Sequence, residues 1–192
     1  MELEGINIGF AMTGSFCTFS KTITKIKELV KKGANVIPIM SFNAYNLDTK
    51  FGNANDFINE IENITKNKII HTIQEAEPIG PKKLTDIMCI APASGNTMAK
   101  LVYGIIDTPA TMAVKSHLRN NKPVVVAIST NDALAGSAKN IGDLLNRKNY
   151  YFVPFRQDNP ITKPRSIVYD PEYLIKTIEV ALDNEQIQPI LL

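Results

Sequence analysis

Apolar runs alternate with amphipathic stretches along the whole chain. Runs rich in Ile, Val, Ala and Met predict strands, and apolar residues repeating at three- and four-residue spacing predict helices between them. Five of the six runs are almost continuously apolar, which is typical of strands buried on both faces of a parallel sheet. The predicted strands are 6–12, 34–40, 69–73, 86–91, 123–128 and 150–154, and the predicted helices are 18–32, 54–65, 94–106, 110–120, 137–147 and 171–183.

The first forty residues predict a βαβ unit. The strand candidate 6–12 is followed by a helical pattern that stops at Gly33, and lysines fill its last turn. We expect Gly33 to be the glycine just beyond the helix end. The next apolar run, 34–40, completes the unit with a right-handed crossover. The alternation then continues without a linker or repeat, so residues 1–192 predict one α/β domain with a mainly parallel sheet of about six strands.

A polar turn follows the apolar strand candidate 86–91. The run ends at Pro92, and Ser94, Asn96 and Thr97 open the next helical pattern. In open α/β sheets, ligands bind in the crevice at such carboxyl ends, and a helix N-terminus favours negative charge. Ser and Thr also cap helices where no ligand is present, so a plain N-cap is the alternative interpretation.

A second polar turn, Thr13 to Ser15, follows the first strand candidate. Gly14 lets the backbone approach a ligand, and the flanking hydroxyls with nearby amides suit a phosphate. The turn is neither the G-x-G-x-x-G dinucleotide fingerprint nor a Walker A loop. It therefore indicates a phosphate-bearing ligand without identifying it.

Hydroxyl and amide side chains dominate the ends of four predicted strands, whereas Lys, Arg and His are nearly absent there. This chemistry suits a neutral, hydrogen-bonding cofactor with one phosphate. The sequence has no cluster of metal-ligating residues and no G-x-S-x-G elbow, so it predicts neither a metal site nor a Ser-His-Asp hydrolase. The candidate cofactor-binding residues are Thr13, Gly14, Ser15, Ser41, Pro92, Ser94, Asn96, Thr97, Ser129 and Thr130.

Composition narrows the function classes. A formal charge of +2, from 21 basic and 19 acidic residues, predicts no nucleic-acid surface. Cys17 and Cys89 form neither a disulfide framework nor a C-x-x-C pair. No basic-then-apolar segment opens the sequence, and no apolar run approaches the ~18 residues of a membrane span, so we expect a cytoplasmic protein without membrane contact. Residues 155–170 predict a long loop that is either a flap over the site or an oligomer contact.

Three motifs together resemble a known family. They are Thr-Gly-Ser at 13–15, Ser-Phe-Asn-Ala at 41–44, and the P-A-S-x-N-T motif at 92–97. In this combination the chain is similar to the flavoprotein family of flavin-dependent cysteine decarboxylases and flavin prenyltransferases. The resemblance implies a three-layer αβα fold of the Rossmann-like or flavodoxin-like type, an FMN pocket between protomers, and homo-oligomers.

Site residues carry over from the resemblance by motif position. Gly14 and Ser15 are expected to hold the FMN phosphate with help from Ser41. The polar residues of 94–97 are expected to face the ribityl chain and the isoalloxazine, and residues 129–131 to line the ring side.

Further segments, at 75–82, 128–134, 151–158 and 188–190, resemble a narrower group of this family, the B subunits of dipicolinate synthases from spore-forming bacteria. That resemblance implies that the partner is a nicotinamide-dependent A subunit, which binds NADPH. It also implies a small dicarboxylate substrate and the mother-cell cytoplasm of a sporulating bacterium. A cation for the dicarboxylate is expected from Lys100, Arg156 or Lys163. We predict catalytic contributions from Asn96, Asn131 and Asp132, with Asp132 facing the partner or accepting a proton.

The chain departs from the decarboxylase pattern at two places. Those enzymes carry a histidine about eight residues before the Asp that opens the strand predicted here at 86–91. In this sequence Pro78 takes the position of that histidine, with Glu77 beside it. Their P-x-M-N-x-x-M-W clamp is replaced by residues 129–134. Two functions therefore stay open: an enzyme subunit that makes dipicolinate, and an FMN-binding scaffold or decarboxylase- or prenyltransferase-like protein.

Overall fold

A computed structural model describes residues 3–192. Eight helices and seven strands are assigned within that range, together with three short 3-10 turns at 16–18, 77–79 and 171–173. The strands are β1 (Asn7–Met12), β2 (Asn35–Met40), β3 (Ile87–Ala93), β4 (Val124–Thr130), β5 (Tyr150–Phe152), β6 (Phe155–Asn159) and β7 (Lys163–Tyr169). The helices are α1 (Phe19–Lys31), α2 (Phe42–Asn46), α3 (Ala54–Thr65), α4 (Ile73–Ala76), α5 (Gly95–Tyr103), α6 (Pro109–Leu118), α7 (Ala138–Leu145) and α8 (Leu174–Leu182).

The strands form one mixed sheet in the order β2-β1-β3-β4-β7-β6, and β5 pairs with β4 beside β7. Strands β1 to β5 run parallel, and β7 is antiparallel to both β4 and β6. The predicted parallel core is therefore confirmed, with a short antiparallel hairpin added at one edge.

Side chains of the sheet alternate between two apolar cores. In β1, Phe10 packs into a core that includes Phe19 of α1, Ile61 of α3 and Ile178 of α8. The neighbouring residue Ala11 faces the second core, whose helical members include Met98, Ala113 and Ile141. Because helices cover both faces of the sheet, the observed architecture is the three-layer αβα fold of the Rossmann-like or flavodoxin-like class.

The end of α1 follows the predicted pattern. Lys32 is the C-cap residue of the helix, and Gly33 follows with a φ of 88°, in the left-handed region. Glycine adopts this backbone conformation without the steric cost that a side chain brings. The expected glycine at this helix end is therefore confirmed.

The prediction of a strand at 69–73 is wrong. Only Ile70 pairs with the sheet, through an isolated parallel bridge to Ile39. Thr72 then caps α4, because its hydroxyl accepts from the Glu75 amide while the Glu75 carboxylate accepts from the Thr72 amide. Because this capping box starts α4 inside the apolar segment 69–73, the segment does not form a strand.

The prediction of a loop at 155–170 is also wrong. These residues form the β6–β7 hairpin, in which Arg156 pairs with Val168 and Gln157 with Ile167. Polar residues and two prolines hide the alternation that normally reveals strands. The hairpin joins the sheet at the carboxyl end of β4.

Within residues 3–192, no helix is both long and apolar enough to span a bilayer.

Candidate functional site

The order of the strands across the sheet changes direction between β1 and β3. The sheet runs from β1 to β2 on one side, while β3 lies on the other side of β1. Helices leaving the carboxyl ends of these two strands therefore go to opposite faces, and a crevice opens between them. The predicted residues after both strands lie at this crevice.

Thr13 joins the two walls of the crevice. Its hydroxyl donates to the Pro92 carbonyl oxygen at 2.8 Å and accepts from the Ser94 amide at 3.0 Å. The residue is only 1% exposed. Because its proton is used inside the fold, Thr13 shapes the crevice and its hydroxyl does not donate outwards.

Gly14 and Ser15 form the accessible part of the first turn. A Cβ built on Gly14 would have as its nearest neighbours Asn43 Cβ and Phe16 Cε2, each 4.0 Å away. The space beside this backbone is thus open to a ligand. The Ser15 hydroxyl donates to the Ser129 carbonyl oxygen, which connects the turn to the end of β4.

The second turn caps α5. The Ser94 hydroxyl oxygen accepts from the Thr97 amide at 3.3 Å and lies 3.0 Å from the Thr97 hydroxyl. Ser94 is therefore the N-cap residue of α5. Asn96 is exposed, and its side chain makes no hydrogen bond to residues 3–192. The first amides of a helix have no intrahelical acceptor, so the N-terminus of α5 keeps donors for a ligand.

Ser41 and Asn43 follow β2. The Ser41 amide donates to the Met12 carbonyl oxygen at 3.0 Å, and its hydroxyl caps α2 by accepting from the Ala44 amide. Asn43 lies across from Gly14 and was not among the predicted site residues. Its position directly after a predicted strand, within a motif already noted, was the available signal.

The turn after β4 contains a hydrogen-bonded carboxylate. Asp132 Oδ1 accepts from the Thr130 hydroxyl at 2.6 Å and from the Ser137 hydroxyl at 2.9 Å. Ser129 is buried, and its carbonyl oxygen accepts from Ser15. Asn131 is exposed, and in the described part of the chain its side chain has no hydrogen-bond partner. Sequence reasoning did not anticipate Ser137 as a member of this cluster.

The three cations considered for a dicarboxylate are each paired with an acid. Lys100 lies 2.6 Å from Asp107, and Lys163 lies 2.6 Å from Asp158. Arg156 donates to Asp170 at 2.7 Å. Each would have to leave or share its carboxylate before it could bind a substrate anion.

The buried titratable groups lie within the fold. Burial lowers the pKa of His117 to about 4, and its ring contacts the Thr85 hydroxyl at 2.7 Å and the Pro123 carbonyl oxygen at 2.9 Å. Burial also raises the pKa of the Cys89 thiol far above its usual value. Within residues 3–192, no group of three or more His, Cys, Asp or Glu is arranged to hold a metal ion.

Comparisons with known proteins agree with this geometry. The flavoprotein family model matches residues 1–169. The chain belongs to the flavoprotein family. Its relatives within this family include the B subunit of dipicolinate synthase from Bacillus subtilis, which is 46% identical over 99% of this chain and 95% of the relative.

Solved structures are also similar to this chain in fold. The crystal structure of the dipicolinate synthase B subunit from Bacillus halodurans superposes with a TM-score of 0.92 at 45% identity, and the match covers 100% of this chain and 98% of that one. The FMN-dependent cysteine decarboxylase SpaF superposes with a TM-score of 0.66 at 19% identity, over 92% of this chain and 99% of that one. This second likeness shows a shared fold.

Proposed function

We propose that this protein is the B subunit of a dipicolinate synthase and that it works with a nicotinamide-dependent A subunit. The observation that carries the proposal is full-length similarity to proteins of that name, at 46% identity to the relative and a TM-score of 0.92 to the crystal structure. The reaction is the conversion of a dihydrodipicolinate-level precursor to dipicolinic acid in the mother-cell cytoplasm of a sporulating bacterium. The protein is a homo-oligomer in this proposal.

The proposed cofactor is FMN, bound at the crevice between β1 and β3. The open backbone at Gly14 fits a phosphate, and the first amides of α5 fit a hydrogen-bonding ribityl chain. Exposed carboxamides suit the edge of a flavin ring, which both donates and accepts. The residues proposed to hold FMN are Gly14, Ser15, Ser41, Ser94, Asn96, Thr97, Ser129 and Thr130, positioned by Thr13 and Pro92.

The proposed dicarboxylate substrate lies beside the end of β4. Asn131 and Asn96 have amide groups that are not used by the described part of the chain, and each is exposed. These groups can donate hydrogen bonds to oxygen atoms of the substrate without a charge of their own. The chain has no dinucleotide fingerprint, so the proposal assigns the nicotinamide, NADPH, to the A subunit.

A two-subunit assay tests the proposed function. Purified chain and A subunit are mixed with precursor and nicotinamide, and dipicolinate absorbance is followed. We expect turnover by the mixture to exceed the sum of the separate subunits by at least about tenfold, which corresponds to ~1.4 kcal/mol of barrier. An A subunit that reaches the same rate without this chain contradicts the proposal. A flavin band in the absorbance spectrum of the chain tests the cofactor separately.

The second candidate function is an FMN-binding scaffold that stabilises the partner. It is favoured by Pro78, which can do no acid–base chemistry where decarboxylases carry a histidine, and by the ion pairs that Lys100, Arg156 and Lys163 already form. A scaffold raises the stability of its partner and leaves the partner's turnover per active site unchanged. Active-site titration in the same assay separates the two candidates.

A further inference from the structure

Asp132 is held in one orientation against the first residue of α5. Both hydroxyl donors, from Thr130 and Ser137, converge on its Oδ1 atom at 2.6 and 2.9 Å. An ideal Cβ on Gly95 would lie 2.9 Å from this same oxygen, 2.9 Å from Thr130 Oγ1 and 2.5 Å from Ser137 Oγ. Only a residue without a side chain fits there, so the carboxylate lies directly beside the helix start.

This position places a negative charge at the positive end of a helix. Helix α5 has nine residues, and its N-terminus carries a partial positive charge of roughly half a unit. A carboxylate within the first turn is stabilised there, and a second anion is disfavoured because it meets a like charge. Within residues 3–192, no Lys, Arg or His forms an ion pair with Asp132, so no cation cancels its charge.

On the other side of the crevice, the side chains nearest to Gly14 are uncharged. Around Gly14 the nearest groups are the Asn43 side chain and the Phe16 ring, both uncharged. An anion entering the crevice is therefore repelled by Asp132 at the β3–β4 side, whereas the side chains nearest to Gly14 carry no charge.

We propose that Asp132 is a specificity-determining residue that closes the N-terminus of α5 to anions and directs the anionic end of the ligand to the Gly14 side. The identity of that ligand rests on the proposed function, but the exclusion of anions does not. In this role Asp132 acts through the position of its carboxylate, which the Thr130 and Ser137 hydroxyls hold beside Gly95. The phosphate of FMN is then excluded from one end of the crevice and binds at the other.

The test uses inorganic phosphate as the probe and the thermal midpoint of the full chain as the readout. Phosphate is titrated at constant ionic strength against the parent protein, Asp132→Asn and Ser137→Ala. Asp132→Asn removes the charge and keeps an oxygen for the two hydroxyls. Ser137→Ala removes one hydroxyl and keeps the charge, so it controls for disturbance of the cluster. If Asp132→Asn does not fold, Asp132→Ser replaces it, because its smaller side chain fits beside Gly95.

We expect the neutral variant to bind phosphate at least about tenfold more tightly than the parent, and Ser137→Ala to match the parent within about twofold. Equal phosphate affinity in the neutral variant and the parent overturns the proposal, as does equal tightening in Ser137→Ala. A parent that binds neither FMN nor its partner would refute the proposed function instead, and the phosphate comparison would still be decided.

Discussion

The Thr13 hydroxyl accepts a hydrogen bond from the Ser94 amide at 3.0 Å, across the gap between the carboxyl ends of β1 and β3. The same hydroxyl donates to the Pro92 carbonyl oxygen at 2.8 Å. One buried side chain thereby fixes the spacing of the two turns that form the crevice. Its identity decides both the stability of this corner and the geometry offered to a ligand.

Thr13→Val is expected to destabilise the protein by about 2 kcal/mol, because the Ser94 amide loses its acceptor and the Pro92 carbonyl oxygen keeps only the longer hydrogen bond from the Thr13 amide. Valine has nearly the same shape, so packing is retained and only the hydrogen bonds are lost. Urea unfolding measures the change, and Thr13→Ser, which keeps the hydroxyl, is the control. A Val variant as stable as the Ser variant would show that the two bonds contribute nothing.

Gly95→Ala is expected to lower stability by about 1–3 kcal/mol, because its Cβ has no room among three oxygen atoms of Thr130, Asp132 and Ser137. Gly142→Ala is the matched control, since a Cβ there meets nothing within 4 Å. Alanine at this helical position should stabilise by up to ~1 kcal/mol. Thermal or urea unfolding of both variants checks the prediction, and equal effects of the same sign would contradict it.

His117 is expected to make folding stability depend on pH. Its pKa is lowered to about 4 in the folded protein, from an ordinary 6.5, because burial disfavours the charged ring. The unfolded chain therefore binds a proton between these values that the folded chain does not. Stability is full above pH 6.5 and falls as the pH drops towards 4, by up to about 3 kcal/mol.

Urea unfolding at pH 7.5 and pH 5 measures this loss. In His117→Gln the slope between the two pH values should be much smaller than in the parent. An unchanged slope in His117→Gln would assign the pH dependence to other groups.

The sheet core was predictable from sequence, and its edges were not. Strands β1, β3 and β4 are continuous apolar runs, and burial on both faces leaves little choice of structure. The segment around Ile70 has the same apolar character, but the Thr72–Glu75 capping box starts a helix there instead of a strand. The β6–β7 hairpin has an exposed outer half, so tertiary pairing with β4 rather than an apolar pattern makes it a strand pair.

The grouping of the candidate residues was predictable because polar residues at the carboxyl ends of parallel strands must meet at one edge of the sheet. Their individual contacts were not predictable. Nothing in the sequence indicates that Ser15 donates to Ser129, or that Gly95 packs on the Asp132 cluster. Such contacts depend on the lateral spacing of strands and helices, which is set by the packing of both cores.

Asn131→Ala is expected to lower dipicolinate formation in the two-subunit assay at least about tenfold, with unfolding unchanged. The side chain is exposed and unbonded within the described chain, so its loss affects a ligand and not the fold. A loss of that size corresponds to one or two hydrogen bonds to a charged substrate. Unchanged turnover when the partner is saturating would remove Asn131 from the catalytic site and favour the scaffold.

The measurement that tests the proposed crevice most directly is a fluorescence titration of FMN into the parent, Ser15→Asp and Ser15→Asn. Both variants lose the hydroxyl, but only Asp sets a negative charge against the phosphate, where like charges in a partly dry site repel strongly. We predict that Ser15→Asp weakens FMN binding at least about 100-fold and that Ser15→Asn weakens it less than about tenfold. For riboflavin, which has no phosphate, the affinities of the two variants should differ much less. Equal FMN affinity in Ser15→Asp and the parent would contradict a phosphate site beside Gly14.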